Sequence, residues 1–176
     1  ESAKDINRKF FTNTKPQSGS CLTVAIEGSR ALILEVQALV SDSNHPNPKR
    51  SATGFDTNRL NMLLALLEKK LDLPLNQYDV FINISGGTKV KESSCDLAVI
   101  AAIISSFRDR PISKESVFIG EVSLTGEIKD VHGMENRLKE ASSQGITKAI
   151  ISTKPKAKIN IKLFEVEEVP KMLELF

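Results

Sequence analysis

The sequence contains few of the residue types that build metal sites and disulfide frameworks. Its 176 residues include two cysteines, two histidines and no tryptophan. Cys21 and Cys95 lie far apart in the chain, and neither His45 nor His132 has a second cysteine or histidine at the spacing of metal ligands. We therefore expect two reduced thiols rather than a disulfide, and no metal site.

The sequence also lacks an excess of charge and a long apolar run. Its 24 basic and 22 acidic residues leave a formal charge of +2, so any nucleic-acid binding must come from basic residues clustered on one face. No run approaches the roughly 20 apolar residues of a membrane helix. A composition with 40% hydrophobic and 26% charged residues is typical of a soluble globular protein, and we expect a cytoplasmic location and no membrane partner.

The beginning of the chain predicts an arm that leads into one domain. Residues 1–19 are polar and contain Asn13, Pro16 and Gly19, which indicates a linker or lead-in arm. The start has no initiator methionine and no apolar segment of signal-peptide type. We interpret the chain as one piece of a longer protein, with a single domain at residues 20–176.

Periodicity predicts a fold that mixes strands and helices. Alternating apolar residues from Leu22 predict a strand, a turn at residues 27–30, a second strand to about Leu39, and a Pro- and Asn-rich loop at residues 42–50. Further strands are predicted at residues 80–84, 117–122, 127–131, 147–151 and 162–166. The whole is an α/β (α+β) domain with one mixed sheet and packed helices.

Four helices complete this prediction. Asp56 or Thr57 is placed to cap the first, and its five leucines at helical spacing form one core-facing stripe; they are Leu60, Leu63, Leu64, Leu67 and Leu71. Residues 97–107 are nearly all apolar, which predicts a central buried helix. Residues 134–144 form a helix that Gly145 ends, and a short helix closes the chain at residues 170–176.

The order of these elements, and eight strings within them, resemble the C-terminal domain of the RadA (Sms) family. The strings occupy residues 27–30, 35–40, 54–60, 83–87, 96–99, 105–111, 120–127 and 137–141. The resemblance extends from about Gly19 to Ser152. It implies a Lon-protease-like fold, a two-layer mixed sheet with packed helices.

The resemblance also implies a role in DNA repair and recombination. In the RadA family a zinc-binding segment and a RecA-like ATPase precede this domain, and the whole protein moves along or branches DNA as a ring. ATP, Mg and Zn are implied for the full-length protein alone, because this chain has neither a Cys-x-x-Cys pattern nor a phosphate-loop motif. The implied partners are single-stranded or branched DNA, further copies of the chain in a homo-hexamer, and a RecA-type recombinase. The implied location is the nucleoid of a bacterial-type cytoplasm.

Lon proteases, which share the implied fold, use a serine nucleophile and a lysine base. When the Lon serine motif is laid without gaps on residues 88–96, the serine falls on Ser94 and the lysine position falls on Arg137. An arginine stays protonated and cannot accept the serine proton, and Lys139 lies roughly 200° further round the helix. We therefore expect no protease activity. We expect Ser94 to be a capping or surface serine, and Glu92 and Asp96 to cap the helix at residues 97–107.

Basic residues at positions that match the RadA pattern are the predicted DNA contacts. They are Arg30, Arg50, Arg59, Lys89 and Lys129. Each has an alternative interpretation as a solvated surface charge, and Asp56 is placed to hold Arg59 as an ion pair or to cap its helix.

Two further hypotheses are a pure oligomerisation scaffold without DNA contact and a Ser/Lys peptidase that uses Ser94. Clustering of Arg30, Arg50 and Arg59 on one face would favour DNA binding over a scaffold. A lysine amine within about 3 Å of the Ser94 hydroxyl would favour the peptidase.

Overall fold

A seven-stranded mixed sheet lies at the centre of the structure, a computed structural model that describes residues 15–85 and 92–176. Within these residues the strands are β1 Ser20–Glu27, β2 Arg30–Asp42, β3 Arg50–Thr53, β4 Tyr78–Ser85, β5 Ser116–Phe118, β6 Glu121–Val122, β7 Ile128–Lys129, β8 Lys148–Ile151 and β9 Lys162–Glu165. The sheet order is β3-β4-β2-β1-β5-β8-β9, and β6 and β7 form a separate hairpin. β2 is antiparallel to β1 and β4, whereas the other neighbours in the large sheet are parallel.

The described residues contain three α-helices and three short 3-10 helices. The α-helices are α1 Thr57–Leu71, α2 Asp96–Arg108 and α3 Met134–Ser143, and the 3-10 helices are Leu75–Gln77, Ser93–Cys95 and Val169–Leu175. α1 and α2 pack on one face of the sheet, and α3 packs on the other face against Leu22 and Val24. The predicted mixed α/β domain is confirmed, with helices over both faces of the sheet.

Three of the four predicted helices form as α-helices, and the predicted closing helix is the 3-10 helix Val169–Leu175. The side chain of Asp56 caps α1 by accepting a hydrogen bond from the backbone N–H of Arg59 at 3.0 Å, and all five leucines of the predicted stripe are buried. α2 is buried from Asp96 to Ser105. Gly145, with φ +89°, follows α3 as predicted. None of the helices in the described part of the chain is long and apolar enough to cross a membrane.

The predicted first hairpin is confirmed, but the loop after it is shorter than predicted. β2 continues to Asp42 rather than to Leu39. Arg50, which the loop prediction included, begins β3, because residues 50–53 pair in parallel with β4. Residues 1–14, which are most of the predicted arm, and residues 86–91 lie outside the described residues.

Candidate functional site at the start of helix α2

Three side chains from two segments meet just before α2, and we call them the Glu92 cluster: Glu92, Ser94 and Arg137. Ser94 lies in the 3-10 turn that leads into α2, whereas Arg137 comes from α3 on the other side of the sheet. Arg137 is fully buried, with 0% exposure, and Ser94 is 1% exposed. The two positions that the Lon motif singled out are therefore neighbours in space, with Glu92 between them.

The guanidinium of Arg137 donates four hydrogen bonds to internal acceptors. Its Nη1 donates to the carbonyl oxygen of Val24 at 2.8 Å and to Glu92 Oε1 at 2.9 Å. Nη2 donates to Glu92 Oε2 at 3.1 Å, and Nε donates to the carbonyl oxygen of His132 at 3.0 Å. A buried arginine with this many partners holds β1, α3 and the segment before α2 together, and it remains a cation.

Ser94 donates its hydroxyl proton to Glu92 Oε1 at 2.8 Å. Glu92 also accepts from the backbone N–H of Ile26 at 2.9 Å. Burial acts to raise the pKa of Glu92, but the hydrogen bonds from Arg137, Ile26 and Ser94 prevail, and the pKa is lowered. A carboxylate with a lowered pKa is a weak proton acceptor, so neither neighbour of Ser94 suits the role of a general base.

These contacts correct the predicted roles of Ser94 and Glu92. Ser94 is neither a capping nor a surface serine, because it is buried and bonded to Glu92. Glu92 makes no side-chain capping bond to the turn that it precedes; its carboxylate instead binds Arg137. Lys139 is exposed while Arg137 is buried, which confirms that the two point in different directions. Among the described residues no hydrogen bond joins a lysine to Ser94, whose hydroxyl donates to Glu92.

A second arginine–carboxylate pair lies one turn further along. Nε of Arg59 donates to Asp96 Oδ1 at 2.6 Å, and Nη2 bonds to Oδ2, which also accepts from the N–H of Val122 at 3.0 Å. Asp96 was predicted to cap its helix, which is wrong, because no side chain caps α2. Asp56 was considered as an ion-pair partner of Arg59. Its side chain instead accepts a hydrogen bond from the backbone N–H of Arg59, and the guanidinium of Arg59 pairs with Asp96.

The pKa of the carboxylate in this second pair is raised, whereas that of Glu92 in the first pair is lowered. The Asp96 side chain is 0% exposed, whereas that of Arg59 is 28% exposed. Burial raises the pKa of Asp96 despite the opposing effects of Arg59 and the Val122 amide. The hydrogen bond to Asp96 raises the pKa of Arg59, whereas at the carboxylate the loss of water outweighs the attraction to Arg59.

The other predicted DNA contacts are spread over the molecule. Arg30 pairs with Glu27 across the first hairpin. Arg50 lies opposite Val80, which pairs with Val40, ten residues along β2 from Arg30. At a rise of about 3.3 Å per residue these two arginines are roughly 33 Å apart. Arg30, Arg50 and Arg59 therefore do not form one cluster in a single chain.

The surroundings of these residues differ. Arg50 donates to the carbonyl oxygen of Leu75 at 2.7 Å and lies 3.8 Å from Glu68. Arg30 is exposed and lines a shallow depression of about 380 Å³ with Lys139 of α3, a cation that the sequence did not single out. Lys129 is exposed and pairs across the small hairpin with Glu121, which lies 4.0 Å from Arg59. Lys89 lies outside the described residues.

A serine and a lysine do meet elsewhere, in a contact that the sequence did not reveal. Nζ of Lys114 donates to Ser20 Oγ at 2.5 Å and also bonds to Glu35, which accepts from Ser20 at 2.7 Å. Ser20 is six residues from Ile26 on β1, about 20 Å from the Glu92 cluster. Because its ammonium is paired with a carboxylate, Lys114 is a structural cation and not a base.

The described residues do not fit the zinc site that the family resemblance implies for the full-length protein. They contain no group of three or more His, Cys, Asp or Glu side chains that could hold a metal ion. Cys21 and Cys95 are buried free thiols, and burial raises the pKa of Cys95 to about 12. Zinc binds thiolates, which such a thiol does not readily supply.

Comparisons with known proteins match the chain to one family model and to several proteins named DNA repair protein RadA. A family model described as subunit ChlI of Mg-chelatase matches residues 52–155. DNA repair protein RadA of Campylobacter jejuni is 59% identical over 173 residues, which are 98% of this chain and 38% of that protein. RadA of Helicobacter pylori is 55% identical over 98% of this chain and 39% of its own length, and RadA of Bacillus subtilis is 44% identical over 79% and 32%. The chain thus spans less than two fifths of these relatives.

Proposed function

We propose a function from the premise that this chain belongs to the family described as subunit ChlI of Mg-chelatase and is related to DNA repair protein RadA over nearly all of its length. The chain serves a RadA-type DNA-repair protein as a Lon-like domain without protease activity. It contributes contacts to DNA and to further copies of itself in a hexameric ring. The ATP-dependent motor of such a protein, with its magnesium and zinc, lies outside this chain, and a RecA-type recombinase is a proposed partner of the whole.

The Glu92 cluster is the observation that carries this proposal. A Ser/Lys peptidase needs a neutral amine within hydrogen-bond reach of its serine. Here the buried side chain nearest to that role is Arg137, a permanent cation that is bonded to Glu92. The carboxylate would also repel an oxyanion that developed at Ser94. The same residue positions therefore act as a structural ion cluster.

DNA contact is best supported for Arg30 and Lys129. Both side chains are exposed, and neither has a hydrogen bond or ion pair within the described residues. Cations of this kind are free to neutralise phosphates and to release counterions. Because Arg30 and Arg50 are about 33 Å apart, assembly into a ring is the means by which basic residues from several copies would line one DNA path.

A scaffold without DNA contact is the second candidate, and one observation favours it. The guanidinium groups of Arg50 and Arg59 already bond to Leu75 and Asp96. Phosphate binding by either residue competes with an internal bond. For this reason the test should use residues whose removal leaves no buried partner behind, which excludes substitutions at Arg59.

The experiment measures binding of fluorescent single-stranded DNA at low salt by anisotropy, together with the mass of the complex in solution. Substitution of Arg30→Gln and Lys129→Gln together should weaken binding. It should also reduce the slope of log affinity against log salt by about 1.4, which is roughly 0.7 for each lost phosphate contact. The exposed residues Lys69 and Lys158, changed to Gln together, serve as a charge-matched control with unchanged binding.

Absence of DNA binding by the unaltered chain at low salt, with a multimeric mass, would support the scaffold instead. Binding that is identical in the Arg30/Lys129 variant and in the control would remove these two residues from the proposed DNA path.

A further inference from the structure

A groove of about 810 Å³ lies where α2 ends, at the other end of this helix from the Glu92 cluster. Its floor is apolar and comes from the last three strands of the sheet, with Phe118 on β5, Ile150 on β8 and Phe164 on β9. The groove has the size of the sites that hold small ligands, roughly 300–1,000 Å³.

Three basic side chains line the groove beside this floor. Arg108 is the last residue of α2, Arg110 follows it by two, and Lys148 begins β8. Asp109 ends the helix in the left-handed conformation, with φ 52°, and the N–H of Arg110 returns to the carbonyl oxygen of Ser105 at 2.9 Å. Arg108, Arg110 and Lys148 are all exposed, and all three line the same groove.

Within the described residues, none of the side chains of Arg108, Arg110 and Lys148 makes a hydrogen bond or an ion pair. Asp109 is the acidic residue of the lining, and it accepts a hydrogen bond from Ser18 at 2.7 Å. The groove therefore has a surplus of positive charge that is free to bind an anion.

The floor offers an aromatic ring next to this charge. Phe164 is partly buried and lines the groove, whereas Lys162, whose ammonium lies 5.2 Å from the centroid of the Phe164 ring, does not line it. Phe118 is 3% exposed and supports the floor from below. A ligand that matches both features carries a flat ring and a negative charge.

We propose that this groove binds a nucleotide unit, with its base against the ring of Phe164 and its phosphate at Arg108, Arg110 and Lys148. Aromatic side chains beside basic ones are the physical means of holding single strands, because every base has a π-face and every nucleotide has a phosphate. In duplex DNA the bases are stacked inside, so the groove accepts unpaired nucleotides. The inference rests on the proposed function only where it names single-stranded DNA as the source of that nucleotide.

The test compares two groove variants with the unaltered chain in binding a labelled oligo(dT) strand. Arg108→Gln, Arg110→Gln and Lys148→Gln together should weaken binding roughly tenfold at low salt and reduce its salt slope by about 2. Phe164→Leu keeps the apolar volume and removes the ring, so binding should fall about fivefold with an unchanged salt slope. The charge-matched control is Lys69→Gln, Lys156→Gln and Lys158→Gln, which lie outside the groove. Thermal unfolding verifies that each variant folds.

Each outcome decides between the groove and the proposed function. If oligo(dT) binding is unchanged in both groove variants but lost in the Arg30/Lys129 variant, the groove proposal is overturned and the DNA role stands. If the chain binds no oligonucleotide, the DNA role fails. Titration with thymidine monophosphate, followed by amide chemical shifts, then tests whether the groove binds a free nucleotide. Shifts confined to the groove around Lys148 and Ile150 support a site for free nucleotides, and unchanged shifts there overturn the proposal. A duplex that competes as well as the single strand also contradicts it.

Discussion

Two arginine–carboxylate pairs flank the start of α2, and they bury opposite charges. In the first pair Arg137 is 0% exposed and Glu92 is 22% exposed. In the second Asp96 is 0% exposed and Arg59 is 28% exposed. A buried guanidinium cannot lose its proton, whereas a buried carboxylate can become neutral by gaining one. Loss of the charged partner should therefore destabilise the fold more in the pair that buries the arginine, because the buried charge that remains cannot be neutralised by a proton.

The two pairs also connect different parts of the fold. Arg137 ties α3 and β1 to the turn before α2, across the sheet. Arg59 ties α1 to α2, and Asp96 extends the connection to β6 through the N–H of Val122. In the proposed Lon-like fold, the first pair includes Arg137, at the position where the family resemblance places the lysine of a protease. The comparison of the two pairs indicates that the Arg137–Glu92 pair has a structural role as demanding as that of the Arg59–Asp96 pair.

The largest expected effect is that of Glu92→Gln. This change leaves the buried Arg137 without a counter-charge, and removal of one member of a buried pair costs about 3–5 kcal/mol of folding free energy. Urea unfolding at neutral pH measures it, and Glu174→Gln, at an exposed residue, is the control with little effect. A loss below about 1 kcal/mol would contradict the structural role. Adding Arg137→Met to Glu92→Gln should recover part of the loss, because the uncompensated cation is gone.

Arg59→Met should cost less, about 2 kcal/mol at neutral pH, because Asp96 can take up a proton once its partner is removed. The pKa of Asp96 is already raised from its ordinary 3.8. The deficit of the variant should therefore shrink as the pH falls through the still higher pKa that Asp96 adopts without Arg59. Urea unfolding at several pH values measures this, and a deficit that does not change with pH would show that the contact acts through packing alone.

The pH response of the Glu92 pair should begin lower. The folded-state pKa of Glu92 lies below its ordinary value of 4.5. Its contribution to stability is therefore fully present above about pH 4.5 and is lost as the pH falls through the folded value. The difference in unfolding free energy between the unaltered chain and Glu92→Gln, followed from pH 7 downward, should stay constant to about 4.5 and then decline. A decline that starts near neutrality would contradict the assignment.

Local patterns were sufficient to predict most of the fold. The leucine stripe of α1, its Asp56 cap, the apolar α2 and the first hairpin all depend on residues close together in sequence. The four-residue β3 was missed, because its stability comes from pairing with β4, some thirty residues away. Short edge strands of this kind carry no periodic signal of their own.

The candidate site was predictable only in part. The family motif pointed to Ser94 and Arg137, but local capping rules assigned Glu92 and Asp96 to the helix end. Long-range arginines took both carboxylates instead, at separations of 45 and 37 residues. Ser20, Glu35 and Lys114 come from separate segments that only the folded chain brings together, and the same holds for Lys148 of the groove and the two arginines at the end of α2.

The smallest expected effect is that of Ser94→Ala. The hydroxyl makes one hydrogen bond to Glu92, and loss of such a bond costs about 1 kcal/mol. Urea unfolding of this variant should show a small decrease in stability and the same acid response as the unaltered chain. A decrease as large as that of Glu92→Gln would place Ser94, rather than the ion pair, at the centre of the cluster.

Hydrolysis of fluorescently labelled casein by the purified chain, beside its Ser94→Ala variant, tests the central claim most directly. With a guanidinium bonded to Glu92 where a neutral amine is required, fluorescence release should equal that of the buffer for both proteins. Release by the unaltered chain that disappears in Ser94→Ala would show that the Glu92 cluster is catalytic.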